Sequence, residues 1–173
     1  MAEVLEYNDI YDCDRNRTGR IHLRGTPWGE GEYGLGVSVW VYDGAGKILM
    51  TRRAPEKTFA GTWENTGGGV QAGEDSLPAI VRELWEETGI RAEPSEFELL
   101  DTGLDDSSNS FFDHYCLKRQ IRLEDVVLLP GETDAVKWVD FDEIHRMIQA
   151  GQICCVIAKE FLRNEDALRS RQK

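Results

Sequence analysis

The sequence predicts an α/β sandwich built around a mixed sheet. Strand-like apolar runs follow one another at short intervals through most of the chain. One amphipathic helix interrupts them near the middle, and two more helical segments close the C-terminal end. With 173 residues, 40% of them apolar, the chain can bury one substantial core. No internal repeat or low-complexity tract interrupts it. It reads as a single domain over residues 1–173, with a hairpin arm over 1–33 and a core with C-terminal helices over 34–173.

The elements follow in order. Glu3 to Tyr11 is strand-like, residues 14–19 (DRNRTG) form a turn, and Arg20 to Arg24 returns as the second strand of a hairpin. A glycine-rich connector covers 25–34. Leu35 to Tyr42 is apolar and β-branched, the composition of a central strand. Asp43-Gly44-Ala45-Gly46 turns the chain into a strand from Lys47 to Arg53. After a loop over 54–62, Trp63 to Thr66 leads into a glycine run, Gly67-Gly68-Gly69, where backbone can take unusual angles and approach a ligand. Further strands are expected over Phe97 to Asp105, Phe111 to Ile121, Val126 to Leu129 and Ala135 to Val139. Asp140 or Asp142 caps a helix through Ala150, stopped by Gly151. A last helix runs from about Cys154 to Arg169.

The middle helix carries the chemistry. Asp75 or Ser76 suits its N-cap, Pro78 its first turn and Gly89 its C-cap. Leu77, Ile80, Val81, Leu84 and Thr88 recur at helical spacing and form a buried stripe. Glu83, Glu86 and Glu87 stand at i, i+3 and i+4, on one side of the helix away from that stripe. Arg82 is one turn from Glu86 and can orient it. Like charges so placed destabilise an isolated helix by a few tenths of a kcal/mol. A bound Mg²⁺ or Mn²⁺ reverses that cost, because hard oxygen ligands and phosphate oxygens are what such ions prefer. A solvated acidic face is the ordinary explanation of an acidic cluster. Here Gly68, Glu74, Arg82, Glu83, Glu86, Glu87 and Gly89 occur together at fixed spacing, a coincidence expected about once in 10⁸ windows at ordinary residue frequencies.

Residues 68–90, GGVQAGEDSLPAIVRELWEETGI, match the Nudix box GX5EX7REUXEEXGU at every position, with Leu84 and Ile90 in the apolar slots. The chain is therefore identified as a member of the Nudix superfamily. The resemblance implies an α/β/α sandwich with a mixed sheet and a loop–helix–loop catalytic element. It also implies Mg²⁺-dependent hydrolysis of a nucleoside diphosphate linked to another group. In that scheme Glu83, Glu86, Glu87 and the Gly68 carbonyl hold metal, and Arg82 and Glu74 support the loop–helix geometry. Glu86 or Glu87 orients or deprotonates the water. Such enzymes often recruit a further carboxylate from a late loop, and Glu132 is the candidate here. Arg52, Arg53 and Lys57 are candidate phosphate contacts, although strand alternation sends Arg52 and Arg53 to opposite faces.

The flanks, including residues 58–66 (TFAGTWENT), are similar to isopentenyl-diphosphate isomerases of the same superfamily. Those enzymes need a cysteine directly after the Asn-Thr pair and a metal-binding histidine two residues later. This chain has Gly67 and Gly69 there, so no thiol is available for the carbon chemistry.

Composition sets further bounds. A net charge of −12 argues against duplex nucleic acid as a partner and makes metal ions and a few placed cations necessary for an anionic substrate. Cys13, Cys116, Cys154 and Cys155 show neither a disulfide framework nor zinc spacing. The N-terminus lacks a signal-peptide core and no run reaches membrane-spanning length, so a cytoplasmic location and a small-molecule diphosphate substrate are expected. The arm is a candidate for substrate capture or for contacts in a homodimer.

Overall fold

A computed structural model of the chain describes residues 5–172. Glu3 and Val4 of the expected first strand lie outside the described residues. Strand β3 (Gly34–Tyr42) organises the rest. It runs parallel to β8 (Ser110–Lys118) along its whole length, from Gly34↔Ser110 to Tyr42↔Lys118. On its other edge it pairs antiparallel with β6 (Thr66–Gly69) and touches β4 (Lys47–Arg53) only at Tyr42↔Ile48. The seven-stranded mixed sheet is completed by β5 (Trp63–Glu64) and β9 (Thr133–Asp140) on β4, and by β7 (Phe97–Asp105) on β8.

Alternation along β3 separates two cores. Leu35, Val37, Val39 and Val41 pack with Ile80 and Leu84 of helix α1 (Ser76–Thr88). Trp40 and Tyr42 pack on the opposite face with Ile144 of α2 (Phe141–Gln149) and Phe161 and Leu168 of α3 (Cys155–Arg171). The result is a three-layer α/β/α arrangement, as expected of a sheet apolar on both faces. Helix ends follow local chemistry. Gly89 takes the left-handed conformation (φ 69°) and its N–H closes on the Trp85 carbonyl. Asp140 accepts from the Glu143 amide at 2.7 Å and starts α2. Asp75 is the N-cap of α1 but makes no side-chain cap bond, because Arg17 holds its carboxylate.

The arm forms a separate two-stranded sheet of β1 (Tyr7–Tyr11) and β2 (Arg17–Leu23). The reversal is tighter than expected. Asp12 accepts the amides of Asp14 and Asn16, and Arg15 takes a positive φ, so Arg17, Thr18 and Gly19 already belong to β2. This sheet is fastened to the loop between β6 and α1. Asn8 Nδ2 donates to the Val70 carbonyl at 2.7 Å, the Ala72 amide donates to the Tyr7 carbonyl, and the Gly73 amide donates to Asp9.

Three sequence expectations are corrected. Val126 to Leu129 is not a strand. It follows a 3₁₀ turn (Leu123–Asp125), and the amides of Val127 and Leu129 bond to the Thr88 and Glu87 carbonyls at the end of α1, so the segment caps a helix. The strand expected to reach Ile121 ends at Lys118, beyond which Arg119 turns back to the Tyr42 carbonyl. Gly67, Gly68 and Gly69 do not adopt unusual angles. They lie in β6, and close approach by neighbours explains the glycines.

Because Asn8 is buried and its amide holds the loop at Val70, Asn8→Ala should destabilise the fold by about 1–2 kcal/mol. Urea unfolding reads the loss, and hydrogen exchange should quicken at Ala72 and Gly73. Unchanged exchange there would show that the arm does not hold the loop.

Candidate active site

Position in β6 decides what each glycine does. Gly68 pairs with Val37 and so faces α1. A Cβ on Gly68 would sit 2.4 Å from the Glu83 carboxylate carbon. Only glycine lets that carboxylate lie against the strand, which brings the Gly68 backbone and Glu83 together as one oxygen-rich cradle. Gly67 pairs with Ser38 and faces α3, and a Cβ there would come within 2.5 Å of the Val37 carbonyl oxygen.

Arg82 is the hub of the helix face. Its guanidinium meets Glu74 at 2.8 Å, Glu83 at 2.9 Å and Glu86 at 3.1 Å. The Glu74 contact is two-pronged, through Nε and Nη2, the geometry that fixes a carboxylate best. These partners, Glu74 first, raise the Arg82 pKa and keep it charged. The three carboxylates of the helix are not equivalent. Glu86 is exposed and leans on Arg82, whereas Glu83 and Glu87 turn inward toward the sheet. Burial raises the Glu83 pKa, offset in part by Arg82. Burial raises Glu87 well above its ordinary range, and the charges of Glu83, Glu64 and Glu132 add to the shift. Among the described residues Glu87 has no ion-pair partner, and the Gly67 backbone N–H favours its charged form.

Glu132 therefore does stand beside the helix carboxylates, brought there by the turn that leads into β9. Lys57 pairs with it. Arg53 pairs with Glu64 at the end of the neighbouring strand and lines the cleft at Gly67 and Gly68. Arg52 does not reach the site. It points to the other face, where Asp134 holds its Nε at 2.7 Å and the Trp63 ring lies beneath it. Two site neighbours carry no motif signal in the sequence. Glu64 joins the cluster only because β5 pairs with β4, and Arg24, at the end of β2, lies close enough for its charge to be felt at Glu83.

Hard oxygens on Glu83 and Glu87, with the Gly68 backbone beside them, fit a divalent cation, and the unpaired buried carboxylate lacks the positive charge such an ion would bring. Among the described residues no three acidic, imidazole or thiol groups converge into a ready-made cage. The expected ligand set of Glu83, Glu86 and Glu87 is thus not assembled as a closed shell, Glu86 being exposed beside Arg82.

Comparison with known proteins agrees with this geometry. The NUDIX domain model matches residues 32–154. The chain belongs to the Nudix hydrolase family. It is an enzyme of the class that breaks pyrophosphate bonds. It is 29% identical to Nudix hydrolase 3 of Arabidopsis thaliana over 161 residues, 86% of this chain but only 21% of that protein's length. It is 26% identical to an uncharacterized Nudix hydrolase of Listeria monocytogenes, covering 86% of this chain and 88% of the relative. A crystal structure of a Deinococcus radiodurans protein, DR0079, superposes with a TM-score of 0.77 at 21% identity, over 92% of this chain and 99% of that one, and shows the shared fold.

The raised carboxylates make a signed prediction. A carboxyl whose folded pKa lies above its ordinary value near 4.5 favours the fold while protonated, and that stability is lost as pH rises through the folded value. A divalent cation binding the ionised forms should offset the loss. Millimolar Mg²⁺ should thus raise Tm more at about pH 8 than at about pH 5. Gly68→Ala, which displaces Glu83, should shrink that gain. An equal Mg²⁺ shift at both pH values would remove Glu83 and Glu87 from the binding site.

Proposed function

We propose that this chain uses Mg²⁺ or Mn²⁺ to hydrolyse a nucleoside diphosphate linked to a second group. The observation that carries the reading is Glu87: acidic, half-buried, without an ion-pair partner among the described residues, and close enough to feel the charges of Glu83, Glu64 and Glu132. Such a concentration of negative charge is costly unless cations occupy it in the working state. Glu83, Glu87 and the Gly68 carbonyl would hold the metal, with Glu86 at the solvent side. When bound, the metal supplies charge neutralisation for the phosphate oxygens and acidifies a water.

The chain's own residues do the remaining work. Arg82 and Glu74 fix the helix against the loop so that Glu83 and Glu87 face the strand. Arg53 is the phosphate contact, since it lines the cleft and its partner Glu64 can yield it to a phosphate oxygen. Lys57 keeps Glu132 in place. Glu132 accepts the proton of the water that attacks phosphorus. The anhydride P–O bond breaks, and two phosphate-bearing products leave. Arg24 offers a further cation from the arm. A small-molecule substrate suits the acidic surface. All four cysteines are free and no helix among the described residues is long and apolar enough to cross a membrane, which supports a reducing, cytoplasmic setting. A homodimer through the arm is the assembly to test.

A Mn²⁺- or Mg²⁺-supplemented screen of nucleoside diphosphate derivatives, read by phosphate release after phosphatase treatment, tests the reading. Glu87→Gln should lower kcat by about 10²–10⁴-fold, and Glu86→Gln, exposed beside Arg82, by less. Full activity in Glu87→Gln would sink the assignment. Glu132→Gln should flatten the acid limb of the pH–rate profile, and an unchanged limb would place the base elsewhere.

A further inference from the structure

The opposite face of β6 carries a second polar constellation that breaking the anhydride does not require. A cleft of about 590 Å³ runs from Arg53, Glu64 and Gly68 across the α3 face of the sheet. Small residues make its floor. Gly36, Ser38 and Gly67 share this face by strand register, and Phe112 and His114 extend it on β8. Helix α3 forms a wall, and from it Glu160 enters among these groups. Glu160 is 6% exposed, yet among the described residues no Lys or Arg forms an ion pair with it. Ser38 Oγ and Asn65 Nδ2 both donate to Oε1, the latter at 2.8 Å. Oε2 lies 3.5 Å from His114 Nε2, beyond a good hydrogen bond, and the Trp40 indole N–H is a further donor near the carboxyl, whose pKa burial raises to about 7. Asn65 is 3% exposed, and its Oδ1 has no partner at all.

One acceptor oxygen, Asn65 Oδ1, is thus left without a donor among the described residues, beside the buried Glu160 carboxyl and a cleft that begins at the proposed diphosphate site. A buried acceptor without a donor costs stability and is unusual in a folded protein. Orientation of the Asn65 amide follows from its neighbour, because the Nδ2 end must face the Glu160 carboxylate. The Trp40 indole N–H is fully buried outside the cleft and makes no hydrogen bond of good geometry, yet it lies close enough to the Glu160 carboxyl to favour its charged form. What Asn65 Oδ1 lacks is a donor.

We propose that Asn65 and Glu160 form a recognition site for an amino-bearing planar ring, of the amino-nucleobase class, carried by one phosphate of the substrate. The ring's exocyclic N–H₂ donates to Asn65 Oδ1 and Glu160 Oε2 while its phosphate lies toward Arg53 and Gly68. This deepens the hydrolase reading and rests on it only for the phosphate end. Helix α3 therefore acts as a specificity element, and Gly67 keeps the passage between the two sites open.

Matched pairs of nucleoside monophosphates that differ by amino against oxo test the site: AMP with IMP, and CMP with UMP. Their Kd values are measured by calorimetry on the full chain with Mg²⁺. The amino member of each pair should bind at least about tenfold tighter, since a site built to accept from an N–H rejects an analogue that lacks it. Glu160→Gln puts a donor where Oε2 was and should erase or invert the preference. Asn65→Ala removes the free oxygen and serves as the second variant if Glu160→Gln does not fold, as judged by thermal unfolding. Equal binding within both pairs by the unaltered chain overturns the proposal, as does a preference that survives in both variants. Phosphate release from diphosphate substrates is scored separately. Absence of amino preference in the unaltered chain with hydrolysis intact defeats only the recognition site, whereas amino preference without hydrolysis defeats only the catalytic reading.

Discussion

The constraint on which the rest depends is the approach of Glu83 to a strand that has no side chain at Gly68. A carboxylate pressed against backbone is partly dehydrated, and its pKa rises accordingly. Everything around it answers that cost. Arg82 binds Glu74, Glu83 and Glu86 together, Arg53 holds Glu64, and Lys57 holds Glu132. Among the described residues of this cluster Glu87 has no cation, the deficit of charge that the proposed metal ion would fill. In the proposed function stability and activity are coupled: the unneutralised charge that costs the fold stability is what would draw in metal and diphosphate.

Strand β6 gives this site two sides. Its residues alternate, so Gly68 serves the metal carboxylates under α1 while Gly67 serves the cleft under α3. The proposed hydrolytic and recognition sites therefore meet on the two sides of one strand. The arm acts on the same region from a third direction. Its backbone and Asn8 fasten residues 70–73, and Arg17 reaches the Glu74 carbonyl and the Asp75 carboxylate. The loop that aims α1 is thus braced by a sheet that is not part of the seven-stranded one.

Much of this was legible in sequence because its causes are local. The Asp43–Gly46 turn, the strand over Lys47–Arg53, the Gly89 cap and the bond between Arg82 and Glu86 depend on residues within a few positions of one another. Val126 to Leu129 misled because β-branched residues there promise a strand, whereas the amides are taken by the end of α1, a partner about 40 residues away that no local pattern reveals. Glu64, Arg24 and Glu160 carry no motif for the same reason. Each matters through a neighbour supplied by another element.

The sequence by itself determined the family, the three-layer class and the set of carboxylates, since spacing along a helix is a local geometric fact. Only the tertiary structure decided which of those carboxylates are buried, which of Arg52 and Arg53 reaches the cleft, and why Gly67 and Gly68 must be glycine. Those properties arise from what lies across a strand pair or beneath a helix, where distance in space is unrelated to distance along the chain.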